Sequence, residues 1–270
     1  MKLGLSTLGC PGWTLEQAVA AAREYGYDGV ELRLLDDQVI TPELIAANKE
    51  RIRRAFGETG IQLAALGSSA RFSAADQAER LQHETAVLDL IKLAKDVDAP
   101  IIRVFGGKRP AGIGMEQAIE NVADSLNRLA PVAEEAGVAI VLETHDDFSR
   151  ATDVAEVLRR VPSKAIGALW DTHHPYRMGE NVAQVWALLS TRLLHTHVKD
   201  ARRARGDEWD LVLLGEGEVP VREVVRALAM RQWPGYLVVE WEKKWHPEIP
   251  EPEVAFPQHS RLLREYLAAV

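Results

Sequence analysis

The sequence predicts a (β/α)8 barrel. Three observations carry that prediction. Short apolar runs alternate with longer amphipathic stretches eight times over. Strands that alternate with helices pair in parallel through right-handed crossovers. Eight such units in 270 residues match the size of an α/β barrel folded as one domain. A doubly wound open sheet is the competing architecture, but no glycine-rich dinucleotide fingerprint follows the first strand. No Pro/Gly/Ser linker or low-complexity tract divides the chain, so residues 1–270 read as a single domain.

The elements follow in order. "KLGLST" (2–7) is the first strand and 14–26 the first helix, with Thr14 as N-cap and Gly26 just past the C-terminus. "DGVELR" (28–33) is the second strand. Thr41-Pro42 opens a helix to about Thr59, proline being tolerated at the first helical position. "QLAALG" (62–67) is the third strand, followed by a helix over 74–97. Strand 100–105 precedes helix 115–136, strand 138–143 precedes helix 151–160, and strand 165–170 precedes a helix near 180–189. Strand 192–198 and a helix near 220–231 follow. Strand 235–240 and a closing helix near 253–267 end the chain. The longest non-periodic pieces, 199–219 and 243–253, both follow strands, where a barrel keeps its working loops.

Composition narrows the function classes. The net charge of −8 disfavours a nucleic-acid partner. One cysteine, Cys10, excludes an intrachain disulfide and a cysteine-rich zinc site. The glycine-rich N-terminus is too short in apolar residues for a signal sequence, and no segment reaches the roughly 18 uncharged apolar residues of a membrane span. The expectation is a soluble cytoplasmic protein with no membrane partner.

The informative residues are polar ones at strand ends. Side chains alternate inward and outward along a barrel strand, and barrel active sites lie at the strands' C-terminal ends. Ala139, Val141 and Glu143 share one face; so do Ala165, Gly167, Leu169 and Asp171. Leu193, His195, His197 and Lys199 form a third set, and Tyr236, Val238, Glu240 and Glu242 a fourth. Glu31 and Arg103 repeat the arrangement on the second and fourth strands. A single glutamate at a strand end is ordinarily a solvated loop residue. Four ionisable endings in consecutive units are not explained that way, because buried carboxylates pointing together repel one another and pay for desolvation. A divalent cation removes the difficulty. Glu143, Asp171, His197 and Glu240 offer O, O, N and O ligands from separate strands, a set that suits Mn2+, Mg2+ or Co2+ and also accommodates Zn2+.

Other residues carry two readings each. His174, three residues after Asp171, is a surface histidine or a substrate hydrogen-bond donor, and His173 could exchange roles with it. His145 is a local cap or a pocket residue. Lys199 is a candidate binder of an anion or carbonyl oxygen. Asp200 is a loop residue or an arginine's partner. "FGGKRP" (105–110) is a mobile loop or a phosphate cradle of glycine amides, Lys108 and Arg109.

At these positions the chain resembles the xylose isomerase-like TIM-barrel superfamily of sugar isomerases and epimerases. The carriers are "GYDGVELR" (26–33), "IIRVFGG" (101–107), "VLETH" (141–145), "WDTHH" (170–174), "HTHVKD" (195–200) and "VVEWE" (238–242). No single piece is specific, but the ordered set spans the whole chain. The resemblance implies a divalent metal on Glu143, Asp171, His197 and Glu240, with Glu143 and Glu240 facing each other across the substrate and moving protons beside a carbonyl. It implies that His174 helps hold a substrate hydroxyl or carbonyl, and that Arg103, Lys199 and Glu31 line the pocket. It also implies pairing into a homodimer. Ketose 3-epimerases of this superfamily carry another glutamate six residues after the first metal glutamate; here that position is Ser149. The expected function is isomerisation or epimerisation of a small sugar- or polyol-derived carbonyl compound through an enediolate. Inosose-type dehydration by a lyase is the alternative on the same scaffold, and a non-catalytic sugar-binding barrel is the reading from a different class.

Overall fold

The structure is a computed structural model and describes residues 1–206 and 208–270. Eight parallel strands close into a barrel in chain order: β1 (Lys2–Ser6), β2 (Gly29–Leu32), β3 (Gln62–Arg71), β4 (Ile101–Phe105), β5 (Ala139–Glu143), β6 (Ile166–Asp171), β7 (Leu193–Val198) and β8 (Tyr236–Val239). β8 returns to pair with β1. The helices that follow them are α1 (Leu15–Glu24), α2 (Pro42–Gly57), α3 (Gln77–Asp96), α4 (Met115–Ala136), α5 (Ala151–Arg159), α6 (Val182–Leu189), α7 (Val221–Met230) and α8 (Pro252–Ala268).

Local chemistry sets the ends. Thr14 accepts from the Gln17 amide while the Gln17 side chain returns to the Thr14 amide, a reciprocal cap that starts α1. Thr41 caps α2, with Pro42 in its first turn. Two ends depart from the sequence pattern by more than two residues. β3 continues past Gly67 to Arg71, helped by Ser68, whose hydroxyl donates to the Arg103 carbonyl at 2.7 Å and extends the contact with β4. α3 begins at Gln77 rather than near residue 74, because Asp76 accepts from the Ala78 amide and caps it there.

The main apolar layer lies between barrel and helices. Leu3, Leu5, Val30, Leu32, Ile102, Val104, Ile140 and Leu142 alternate outward from the strands and join Val19, Ile45, Ile52, Val87 and Leu126 of the helices in one cluster. Each fully buried side chain of this kind contributes roughly 1.5–3 kcal/mol. Most apolar burial therefore resides in this layer, while Val141, Leu169 and Val238 fill the inward face below the polar strand ends. One expected face is wrong. Leu193 belongs to the helix-facing cluster, not to the face of His195. The register between β6 and β7 shifts at Ala168 and Leu169, so Leu193 and His195 pair with consecutive residues of β6. Leu194 fills the space beside Gly167 instead.

The piece over 199–219 holds an antiparallel pair, Asp200–Arg203 with Trp209–Val212. Asp200 organises it as an acceptor of backbone amides from Ala201, Gly215, Gly217 and Val219, rather than as an arginine's partner. Among the described residues no helix is long and apolar enough to cross a membrane.

Candidate active site

The inward-facing ends of β5, β6 and β7, and Glu240 just past β8, meet at the C-terminal mouth. One ligand atom each from Glu143, Asp171, His197 and Glu240 lies within 4.8 Å of the others, and all four residues are buried. His197 is the hub. Its Nδ1 is 3.0 Å from Glu143 Oε1 and 3.2 Å from Glu240 Oε1, while its Nε2 is 2.9 Å from Glu31 Oε2. The two glutamates thus converge on one imidazole nitrogen.

Asp171 is held from below and above. Its amide donates to Thr144 Oγ1, and its Oδ1 accepts from the His173 and His174 amides. Those last two bonds seat a short helix, His173–Arg177, that brings His174 over the cluster. Lys199 reaches into the same group: Nζ is 3.0 Å from Asp171 Oδ2 and also bonds Glu240 and Glu242.

Burial and charge oppose each other here. Burial raises the Asp171 carboxyl to about 6 despite Lys199. Burial also disfavours charge on Glu143 and Glu240, but His197, with Arg103 beside Glu143 and Lys199 beside Glu240, holds both below the usual carboxylate range. Burial disfavours the charged forms of His197 and Lys199 too; the surrounding carboxylates outweigh it and keep both protonated. Among the described residues, Glu143 Oε2, Asp171 Oδ2, Arg103 Nε and Nη1, and both ring nitrogens of His174 make no hydrogen bond of regular geometry; Glu143 Oε2 and Asp171 Oδ2 have only their ion pairs with Arg103 and Lys199. Buried polar atoms without regular hydrogen bonds are costly. Three carboxylates and an imidazole converging on one point, two of their oxygens without regular hydrogen bonds, are a donor set that fits a divalent cation.

The remaining expected residues divide. Arg103 lies 3.3 Å from Glu143 Oε2 and over the Phe105 ring, and it lines a mouth cavity of about 370 Å³ together with His145, Glu240 and Glu242. The His145 ring packs on Phe105 and on His174, with Nδ1 3.3 Å from Asp146 Oδ2. His174 is buried, and burial near Lys199 keeps its ring neutral. Glu31 joins the cluster from β2. It is 0% exposed and lies behind His197, bonded to both His197 and His195. Inward alternation selects Glu31 correctly but says nothing of its partners.

Sequence reasoning missed Arg33, which lines the mouth just beyond β2 and donates to Gly67 O and Ser69 Oγ. Continuing the alternation from Glu31 by one step would have found it. Trp245 of the loop after β8 also stands at the mouth, and no spacing signal marks it. The glycines of "FGGKRP" have a packing explanation. A Cβ on Gly106 would stand 2.2 Å from the Phe148 ring, and Gly107 has φ +90. Arg109 faces Asp147 at 3.4 Å.

The chain is 28% identical over 254 residues to a fructoselysine 3-epimerase of Escherichia coli O157:H7, covering 89% of this chain and 90% of that one. It is 28% identical over 144 residues to an inosose dehydratase of Bacillus cereus, covering 47% of this chain and 48% of that protein. The crystal structure of an IOLI protein with a bound zinc atom superposes with a TM-score of 0.85 at 19% identity, over 100% of this chain and 99% of that one. A family model described as the xylose isomerase-like TIM barrel matches residues 19–266, and the chain belongs to that family.

Proposed function

We propose that the protein is a divalent-metal-dependent isomerase or epimerase of a small polyhydroxy carbonyl compound. The observation that carries the reading is the buried convergence of Glu143, Asp171, His197 and Glu240 at the barrel mouth. These four residues would hold the metal. When bound, a divalent cation supplies Lewis-acid polarisation of a carbonyl and its neighbouring hydroxyl.

The chain's own groups do the rest. Glu143 and Glu240, both held ionised by cationic neighbours, take and return the proton on the carbon beside the carbonyl. His174, neutral and with both ring nitrogens unpaired, donates to a substrate hydroxyl or carbonyl oxygen. Arg103 and Lys199 offset charge that develops on oxygen. His145 narrows the mouth beside Phe105.

Epimerisation stands ahead of dehydration because similarity to an epimerase extends over 89% of the chain, against 47% for the dehydratase. Ser149, where the superfamily's ketose 3-epimerases carry a glutamate, accepts a hydrogen bond from Arg177; free-ketose 3-epimerisation is therefore not the assigned reaction. The proposal includes a cytoplasmic setting and a homodimer, the latter tested by sedimentation of the purified protein.

Turnover in D₂O tests the chemistry. Carbon-bound deuterium is expected in product or recovered substrate from a panel of ketoses, polyol-derived ketones and fructosyl-amino acids assayed with Mn²⁺. Conversion with full retention of the substrate hydrogen would favour a hydride shift and remove the proton-carrying role of the glutamates.

A further inference from the structure

Beside the mouth lies a second cavity of about 670 Å³, walled in part by Arg109, Ser149, Arg150, Arg177 and Trp209. It adjoins the active site on two sides. Asp146 lines both it and the mouth cavity that holds Arg103 and Glu240. Arg177 and Trp209 line both it and a third cavity, of about 700 Å³, that includes His174 and Glu242.

Its wall carries one cation in excess, because Arg203 is a fourth arginine against three aspartates, Asp146, Asp147 and Asp153. Asp147 faces Arg109 at 3.4 Å, and Asp146 faces His145 at 3.3 Å. Arg177 donates to a neutral partner, Ser149 Oγ, at 3.1 Å. Arg150 donates to the Met178 carbonyl at 2.9 Å. Among the described residues neither guanidinium has a carboxylate within 4.0 Å. A guanidinium offers five donors in a planar fork that matches a carboxylate or a phosphate. Half-buried Arg177, with a hydroxyl on one side and an indole across the cavity, has donors and charge left over.

We propose that this cavity is a subsite for an anionic group carried by the substrate away from its reacting carbonyl, with Arg177 as principal ligand and Arg150 as second. The substrate class is then a polyhydroxy carbonyl compound with a carboxylate or phosphate substituent. The inference rests on the proposed function, because it takes the neighbouring mouth as the place of reaction.

Calorimetric binding to the Mn²⁺-loaded protein tests it, with D-fructose, D-fructose 6-phosphate and D-fructuronate as probes. At least one anionic sugar is expected to bind roughly 10-fold or more tightly than fructose. Arg177→Gln should cut that ratio by about 10-fold, and Arg177→Lys should keep part of it. Arg226→Gln on α7 makes the same charge change outside the cavity and should leave the ratio as it is. The phosphate and carboxylate arms identify which anion the site takes. The proposal is overturned if neither anion binds better than fructose, or if folded, metal-loaded Arg177→Gln keeps the wild-type ratio. Failure of the proposed function would instead appear as absent metal or absent deuterium exchange, which these binding ratios do not measure.

Discussion

The two halves of the barrel mouth are built from opposite charges. β5 to β8 deliver Glu143, Asp171 and Glu240 around His197, whereas the rims of β2 and β4 deliver the guanidiniums of Arg33 and Arg103. The halves touch where Arg103 meets Glu143 and where Glu31, from β2, reaches beneath His197. A mouth lined by carboxylates alone would repel a sugar's oxygens, and one lined by arginines alone would hold no metal. In the proposed function, cation binding and proton movement fall to the half that also carries Lys199, and Arg103 of the other half offsets charge on substrate oxygen.

The largest expected effect breaks the anionic half. His197→Ala combined with Asp171→Asn removes two of four ligands, and elemental analysis should find the stoichiometric metal gone. Glu143→Gln and Glu240→Gln, made singly, should each lower turnover by at least ~10²-fold. Near-native turnover in the double glutamine variant would leave the division of labour without support.

A smaller effect is expected from the cationic half. Arg103→Met removes a donor to charged oxygen, a change that typically costs about 1.5–3 kcal/mol, so KM for a carbonyl substrate should rise roughly 10- to 100-fold. Because Arg103 also offsets Glu143 in the metal-free protein, the variant should be destabilised more in chelator than with Mn²⁺. Equal urea midpoint shifts with and without metal would contradict the pairing.

How far this contrast was legible in sequence follows from what alternation encodes. Period-two patterning fixes which face a residue takes, and it found Glu143, Asp171, His197 and Glu240 on separate strands. It also placed the eight strands, because their apolar outward residues are read by the same rule. It does not encode partners, so it placed Glu31 inward without showing that it bonds His195 and His197. Nor does it survive a register shift, which moved Leu193 to the helix layer. The period still reaches Arg33, one step past Glu31, but it does not reach Trp245 or the strand pair Asp200–Arg203 with Trp209–Val212.

Glu31 sharpens the comparison further, since it crosses from one half to support the other. An outer carboxylate on a metal-binding histidine fixes ring orientation and raises basicity, and its loss typically costs about 10- to 100-fold in metal affinity. Glu31→Gln keeps the shape and a hydrogen bond but loses the charge. Mn²⁺ titration should show weaker binding by that factor. Unchanged affinity would make Glu31 only a buried partner of His195.

The smallest effect per step is the response to pH, and its sign separates the halves. In the metal-free protein burial lifts the Asp171 carboxyl to about 6, while the surrounding carboxylates keep His197 protonated. Both groups must be deprotonated to act as ligands, so metal capture expels protons. Affinity for Mn²⁺ should therefore fall with acid, by up to roughly tenfold per unit below about pH 6 from Asp171 alone, with His197 adding to the fall. Above that pH the Asp171 contribution levels off, but His197 still holds a proton to be released, so affinity should continue to rise. Arginine side chains stay charged throughout this range. Acid is thus expected to empty the metal half without discharging the arginines. Titrations between about pH 5 and pH 8, in two buffers of different ionisation enthalpy, count the protons released. A pH-independent affinity with no proton release would mean that the cation binds elsewhere than on Asp171 and His197.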